Sequence, residues 1–162
     1  MDATEGIRWP EEFHPSRTPV HVRNELAMAA PVTAVWACLV GARAWPSWYP
    51  NARDVVIDGA GTELTSKATF KWRTFGIRLV SHVEEFVPQE RLAWNARGLA
   101  VWVYHAWLIH PTPSGCTVVT EETQHGFAAR LGALLMPRRM HHWHQVWLEQ
   151  LEKRALLGPP GR

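Results

Sequence analysis

Residues 116–151 read CTVVTEETQHGFAARLGALLMPRRMHHWHQVWLEQL, and the hydrophobic period changes within this stretch. Cys116 to His125 follows the two-residue period of a β-strand, which Gly126 closes. Helical spacing then returns on both sides of Pro137, a residue that must start or kink a helix. Its later apolar positions, at i, i+3, i+7 and i+11, are Met140, Trp143, Trp147 and Leu151. The pattern predicts a sheet that ends just before a long C-terminal helix.

The period of two extends upstream through most of the chain. A short amphipathic helix interrupts it, with Pro31 at its first helical position and Gly41 ending it. The predicted strands are Val20–Met28, Asp54–Asp58, Lys67–Arg73, Ile77–Val87, a fifth strand that ends at Gly98, Leu99–His110 and Cys116–His125. The C-terminal helix of about 20 residues would be about 30 Å long, so the sheet must curl around it. We therefore predict an α+β fold: a seven-stranded curved antiparallel sheet wrapped around a long C-terminal helix, with a short helix and turn after strand one.

Composition limits the class of protein. The 162 residues are 46% apolar and 20% charged, which is typical of a single globular domain. We expect an N-terminal arm over residues 1–18, a domain over 19–157 and a tail over 158–162. The net charge of +2 is not concentrated in a basic stripe, so no nucleic-acid partner is expected.

The expected location is the cytoplasm. The only cysteines, Cys38 and Cys116, are too few for a disulfide framework and fit a reducing compartment. No run of apolar residues in the sequence approaches the length of a membrane span, and the polar N-terminus lacks the apolar core of a signal peptide.

Ten tryptophans are an unusual number for a chain of this length. Aliphatic residues fill a core without the hydrogen-bond acceptor that each buried indole N–H needs. The tryptophans therefore point to an aromatic-lined cavity. The alternative is that most of them are ordinary core residues, since tryptophan is highly buried in any fold.

The order of elements and three local phrases resemble the START-like, or SRPBCC, superfamily with its helix-grip fold. The phrases are residues 30–36 (APVTAVW), 45–50 (WPSWYP) and 83–94 (VEEFVPQERLAW). The resemblance covers about residues 19–157, and the polyketide cyclase/dehydrase branch is the most similar. It implies an internal cavity for a polyketide-, aromatic- or lipid-like molecule. The serine and arginine of aromatase/cyclase members on strand four fall at Glu84 and Phe86, so that pair is absent.

Strand four carries the candidate catalytic pair. If Val80, His82, Glu84 and Phe86 face the cavity, His82 and Glu84 lie side by side and could transfer protons in a cyclisation with loss of water. The opposite facing directs Ser81, Val83 and Glu85 inward and leaves His82 and Glu84 in solvent. The two faces are nearly equal in polarity, so the sequence leaves both alternatives open.

The expected ligand-binding residues are mainly aromatic: Trp48, Tyr49, Trp72, Phe86, Trp94, Trp107, Glu122, Trp143 and Trp147. His141 and His144 share a helical face, but a metal site needs a third ligand that the helix does not offer. We therefore expect neither a metal nor another cofactor.

Three functions follow from these patterns. The first is binding of a small hydrophobic molecule with cyclase/dehydrase-like chemistry, and the second is a carrier or sensor without turnover. The third is an interaction module that presents tryptophans to a protein partner. Inward-facing tryptophans favour a ligand, whereas a contiguous exposed patch favours a partner.

Overall fold

The structure, a computed structural model, describes residues 6–158. Residues 1–5 of the predicted arm and 159–162 of the predicted tail lie outside this part. Three short 3₁₀ turns occupy residues 11–13, 15–17 and 42–47. The other elements are β1 (Val20–Met28), α1 (Val32–Val40), β2 (Arg53–Ile57), β3 (Thr69–Thr74), β4 (Ile77–Val87), β5 (Arg91–Gly98), β6 (Val101–Thr112), β7 (Gly115–His125), α2 (Phe127–Leu135) and α3 (Arg139–Leu156).

The seven strands form one antiparallel sheet in the order β1-β7-β6-β5-β4-β3-β2. Each strand from β2 to β6 pairs with the next in sequence, and β7 also pairs with β1. Consecutive pairing is what short turns between alternating strands produce. The predicted α+β helix-grip fold with seven antiparallel strands and a long C-terminal helix is confirmed.

The helices begin and end where the sequence signals them. Pro31 precedes α1, and Gly41 follows it. Pro137 separates α2 from α3, as expected of a residue without a backbone N–H. The buried face of α3, which packs against β1 and α1, consists of His144, Trp147, Leu148, Leu151 and Ala155.

The side chains of β4 follow the second of the two predicted alternatives. Ser81 and Val83 are buried, whereas His82 and Glu84 are exposed. A bulge shifts the register between Val83 and Glu85, so the parity of the strand changes and Phe86 turns back toward the core. The prediction that His82 and Glu84 point into a cavity is therefore wrong.

The N-terminal segment covers the outer face of the sheet. Ile7 is buried there, and Trp9 and Phe13 pack onto a separate small apolar cluster. The strand residues of this cluster are Ala93, Tyr104, Ala106, Leu108 and Val119. The Phe13 carbonyl accepts a hydrogen bond from the Thr123 hydroxyl at 2.9 Å, which ties the segment to β7. Residues 7–13 thus shield a second apolar surface from water.

Candidate functional site: a cavity with a buried His–Glu–His cluster

A cavity of about 310 Å³ lies between the inner face of the sheet, α2 and the start of α3. It reaches the lower end of the size range typical of small-molecule sites. Most of its lining is apolar, and the principal residues are Val20, Val22, Tyr49, Trp72, Leu79, Trp94, Val101, Val103, Ala129, Met140 and Trp147. The predicted cavity between the sheet and the C-terminal helix is present.

Three buried polar side chains meet at the wall of this cavity. His105 lies on β6 directly opposite Glu122 on β7, and His144 reaches them from α3. Glu122 Oε2 is 3.0 Å from His105 Nδ1 and 3.3 Å from His144 Nε2. We call these three residues the His–Glu–His cluster. Among the described residues that line the cavity, no other histidine or carboxylate occurs.

Neighbouring groups hold the cluster in place. The second ring nitrogen of His105, Nε2, is 2.7 Å from the Thr120 hydroxyl. Gln124 Nε2 donates a hydrogen bond to Glu122 Oε1 at 2.6 Å. His144 Nδ1 is buried without a hydrogen-bond partner among residues 6–158. Such orienting bonds fix which ring nitrogen and which carboxylate oxygen face the centre of the cluster.

Burial and proximity set the charges of the cluster. Burial alone would raise the pKa of Glu122, but the adjacent His105 and His144 hold it well below its ordinary value. Burial lowers the pKa of His105, and the Glu122 carboxylate opposes this effect only in part. The carboxylate is therefore ionised, and His105 gives up its proton more readily than a histidine in water.

Aromatic rings surround the cluster. The rings of His105 and His144 are nearly parallel, with an interplanar angle of 14° and centroids 4.9 Å apart. Trp94 and Trp147 approach His105 with centroid distances of 4.9 and 5.5 Å. These rings exclude water, which strengthens electrostatic interactions at the cluster.

The structure brings together five of the predicted ligand-binding residues at the cavity: Tyr49, Trp72, Trp94, Glu122 and Trp147. Trp107 is buried behind this wall, against Trp94 and Trp147.

The other predicted ligand-binding residues lie elsewhere. Trp48 borders a second concavity beside α1, and Phe86 packs edge-on against Trp36. Trp143 is half-buried next to Tyr49 without lining the cavity. For Trp48, Phe86, Trp107 and Trp143, the expected place in the cavity wall is corrected by the structure, because each packs on another element or layer.

Sequence reasoning missed His105 and assigned His144 to an incomplete metal motif. A signal was available for His105, because the turn between Thr112 and Gly115 fixes the register of the β6–β7 hairpin. Counting back from that turn places His105 opposite Glu122. No comparable signal was available for His144, since its approach depends on how α3 crosses the sheet.

Helix α2 forms one side of the cavity. Its inner residues, Ala128, Ala129 and Gly132, line the cavity, whereas Phe127 and Leu134 are largely exposed on its outer side. None of the described helices is both long and apolar enough to cross a membrane. The exposed large apolar residues concentrate on α2 and just after it, rather than in a patch of tryptophans.

Solved structures share this architecture. A hypothetical protein from Helicobacter pylori is 31% identical, with a TM-score of 0.88 over 96% of this chain and 99% of that one. A protein from Thermus thermophilus is 18% identical, with a TM-score of 0.72 over 87% and 100% of the two chains. The Zhui aromatase/cyclase from a Streptomyces species is 14% identical, with a TM-score of 0.72 over 85% and 93%.

No functionally curated protein matches the sequence. The family model described as "Polyketide cyclase / dehydrase and lipid transport" matches residues 19–156, which include every strand and both C-terminal helices. The extent of that match establishes that the chain belongs to the polyketide cyclase/dehydrase and lipid transport family.

Proposed function

We propose that the protein binds a small hydrophobic organic molecule that carries at least one oxygen atom, of the polyketide-, aromatic- or lipid-like class. The observation that supports this proposal is an apolar cavity that reaches a buried polar cluster. Apolar walls contribute affinity of about 25 cal/mol per Å² of surface removed from water. A few convergent polar groups then orient the ligand.

The need for oxygen in the ligand comes from unpaired donors. Trp147 lines the cavity, and its indole N–H has no hydrogen-bond partner among the residues that the structure describes. A buried donor without an acceptor costs about 1–3 kcal/mol. A ligand carbonyl or hydroxyl near Trp147 and the cluster would recover that cost, so the site favours oxygen-bearing molecules over plain hydrocarbons.

Two measurements test the proposal. Mass spectrometry of organic extracts from the purified protein should detect a small apolar compound. The fluorescence of 1-anilinonaphthalene-8-sulfonate should increase with saturation when it is titrated into the folded protein, and tryptophan emission should change. Absence of a copurifying compound together with a linear, non-saturating dye titration would contradict the proposal.

A second candidate function is cyclisation of such a ligand with loss of water. It is favoured by the family and by the position of the cluster beside the space for a ligand. The imidazole of His144, whose Nδ1 has no hydrogen-bond partner among the described residues, would donate a hydrogen bond to a ligand carbonyl and polarise it. His82 and Glu84, on the exposed face, are too remote from the cavity for this task.

Turnover separates the two functions. A compound found by extraction should be converted to a product of lower mass by one water if the protein is a cyclase/dehydrase. Replacement of Glu122 by Gln should then slow that conversion by at least about 10²-fold, the usual contribution of a positioned polar group. Recovery of unchanged compound after prolonged incubation would instead support a carrier or sensor.

A further inference from the structure

We propose that His105 Nδ1, Glu122 Oε2 and His144 Nε2 form a three-ligand site for a divalent transition-metal ion. The ligand atoms of these three residues lie within 4.8 Å of one another. Among the described residues, no other group of three or more histidines, cysteines or carboxylates comes together in this way. Bonds of about 2.1 Å in tetrahedral geometry separate ligand atoms by about 3.4 Å. The two distances from Glu122 Oε2, 3.0 and 3.3 Å, are close to that value.

The donor set fits the ion in type and charge. Two imidazoles and one carboxylate carry a net charge of about −1 when both rings are neutral, which a divalent cation more than offsets. Two histidines with one carboxylate suit zinc, as in hydrolytic enzymes, and also ferrous iron. The shared chemistry is therefore a divalent transition metal rather than calcium or magnesium, which prefer oxygen ligands.

Surrounding groups act as the outer partners that such sites need. The Thr120 hydroxyl can accept a hydrogen bond from His105 Nε2–H, and this tautomer leaves the Nδ1 lone pair free to bind a metal. Gln124 orients the Glu122 carboxylate from the far side through Oε1, which leaves Oε2 for the ion.

The site has an open side toward the cavity, because all three ligands belong to the cavity wall. Three protein ligands with one free position are the arrangement of a catalytic rather than a structural metal site. A ligand oxygen in the cavity would complete the coordination. This step depends on the proposed function, whereas binding of the ion itself does not.

The test is a titration of the 162-residue chain after treatment with EDTA and removal of the chelator. Addition of CoCl₂ should produce visible d–d absorption that saturates at one ion per chain, and ZnCl₂ should abolish it. Calorimetry with ZnCl₂ and, without oxygen, with ferrous sulfate ranks the two ions. Glu122→Gln keeps the shape of the side chain and should weaken zinc binding at least about 100-fold, because it removes a charged ligand.

The matched control is His141→Gln with His142→Gln, two exposed histidines on the same helix and outside the cluster. The control should bind zinc as the wild type does. If Glu122→Gln does not fold, Thr120→Val should lower affinity by about 10- to 100-fold through the orientation of His105. The proposed site would be refuted if the wild-type protein bound neither zinc nor ferrous iron. It would also be refuted if zinc affinity were lost only in the His141/His142 control.

Dye binding by the metal-free protein keeps the two proposals apart. Saturable dye binding without any metal binding would refute the metal site and leave the ligand cavity. Metal binding without dye binding and without an extracted compound would support the metal site and refute the ligand cavity.

Discussion

Filling the cavity from α2 should block ligand binding without unfolding the protein. Ala129 is 5% exposed and its side chain lines the cavity, so Ala129→Phe places a phenyl ring in the space. An apolar cavity of about 150 Å³ holds a benzene molecule. The cavity of about 310 Å³ therefore accommodates the new ring, and roughly half of the space remains. Leu134→Phe changes the outer side of the same helix, where the residue is 78% exposed.

We expect Ala129→Phe to weaken dye binding at least about tenfold, which corresponds to about 1.4 kcal/mol. Burial of the ring contributes up to about 1.5–3 kcal/mol to stability, less the strain of fitting it, so the melting temperature should be equal or a few degrees higher. Fluorescence titration and thermal unfolding measure the two quantities. Equal dye affinity in Ala129→Phe and Leu134→Phe would refute the cavity as the binding site.

Three further predictions concern the packing of buried residues and the role of Glu84. Trp147→Ala should destabilise the protein by about 3–5 kcal/mol in urea unfolding, because the indole is 2% exposed, whereas Trp102→Ala, at 41% exposure, should cost about 1 kcal/mol or less. Gly115→Ala should abolish stable folding, because a Cβ there lies 2.1 Å from a carbonyl oxygen of β1, while Gly132→Ala in α2 meets open space and should stabilise by about 0.5–1 kcal/mol in the same assay. Glu84→Gln should leave dye affinity and stability unchanged within about 0.5 kcal/mol, and a tenfold loss of affinity would place Glu84 in the ligand site.

Much of the fold was predictable because several strands bury one face and expose the other. On β3, the buried positions Phe70 and Trp72 alternate with polar residues, and the alternation alone identifies the inner face. Proline and glycine were equally informative. Pro137 separates α2 from α3, and Gly41 ends α1.

Strand β4 shows the limit of alternation. Its two faces differ little in polarity because Glu85 packs against arginines on the outer side and Ser81 accepts a hydrogen bond from the Trp72 indole on the inner side. The bulge next to Val83 then reverses the parity before Phe86. A period of two carries no information about a bulge, so the sequence left the facing undecided.

Both interpretations of the ten tryptophans hold in part, because some line the cavity and others are core residues behind them. Trp94 and Trp147 line the cavity, and Trp45 packs behind them with centroids 5.7 and 5.3 Å away. The indole of Trp45 donates to the Leu39 carbonyl at 3.1 Å, so this ring is a satisfied core residue. Trp147 has no such acceptor among the described residues. Large buried rings therefore form both layers, and the ring in the wall keeps a donor that has no partner among the described residues.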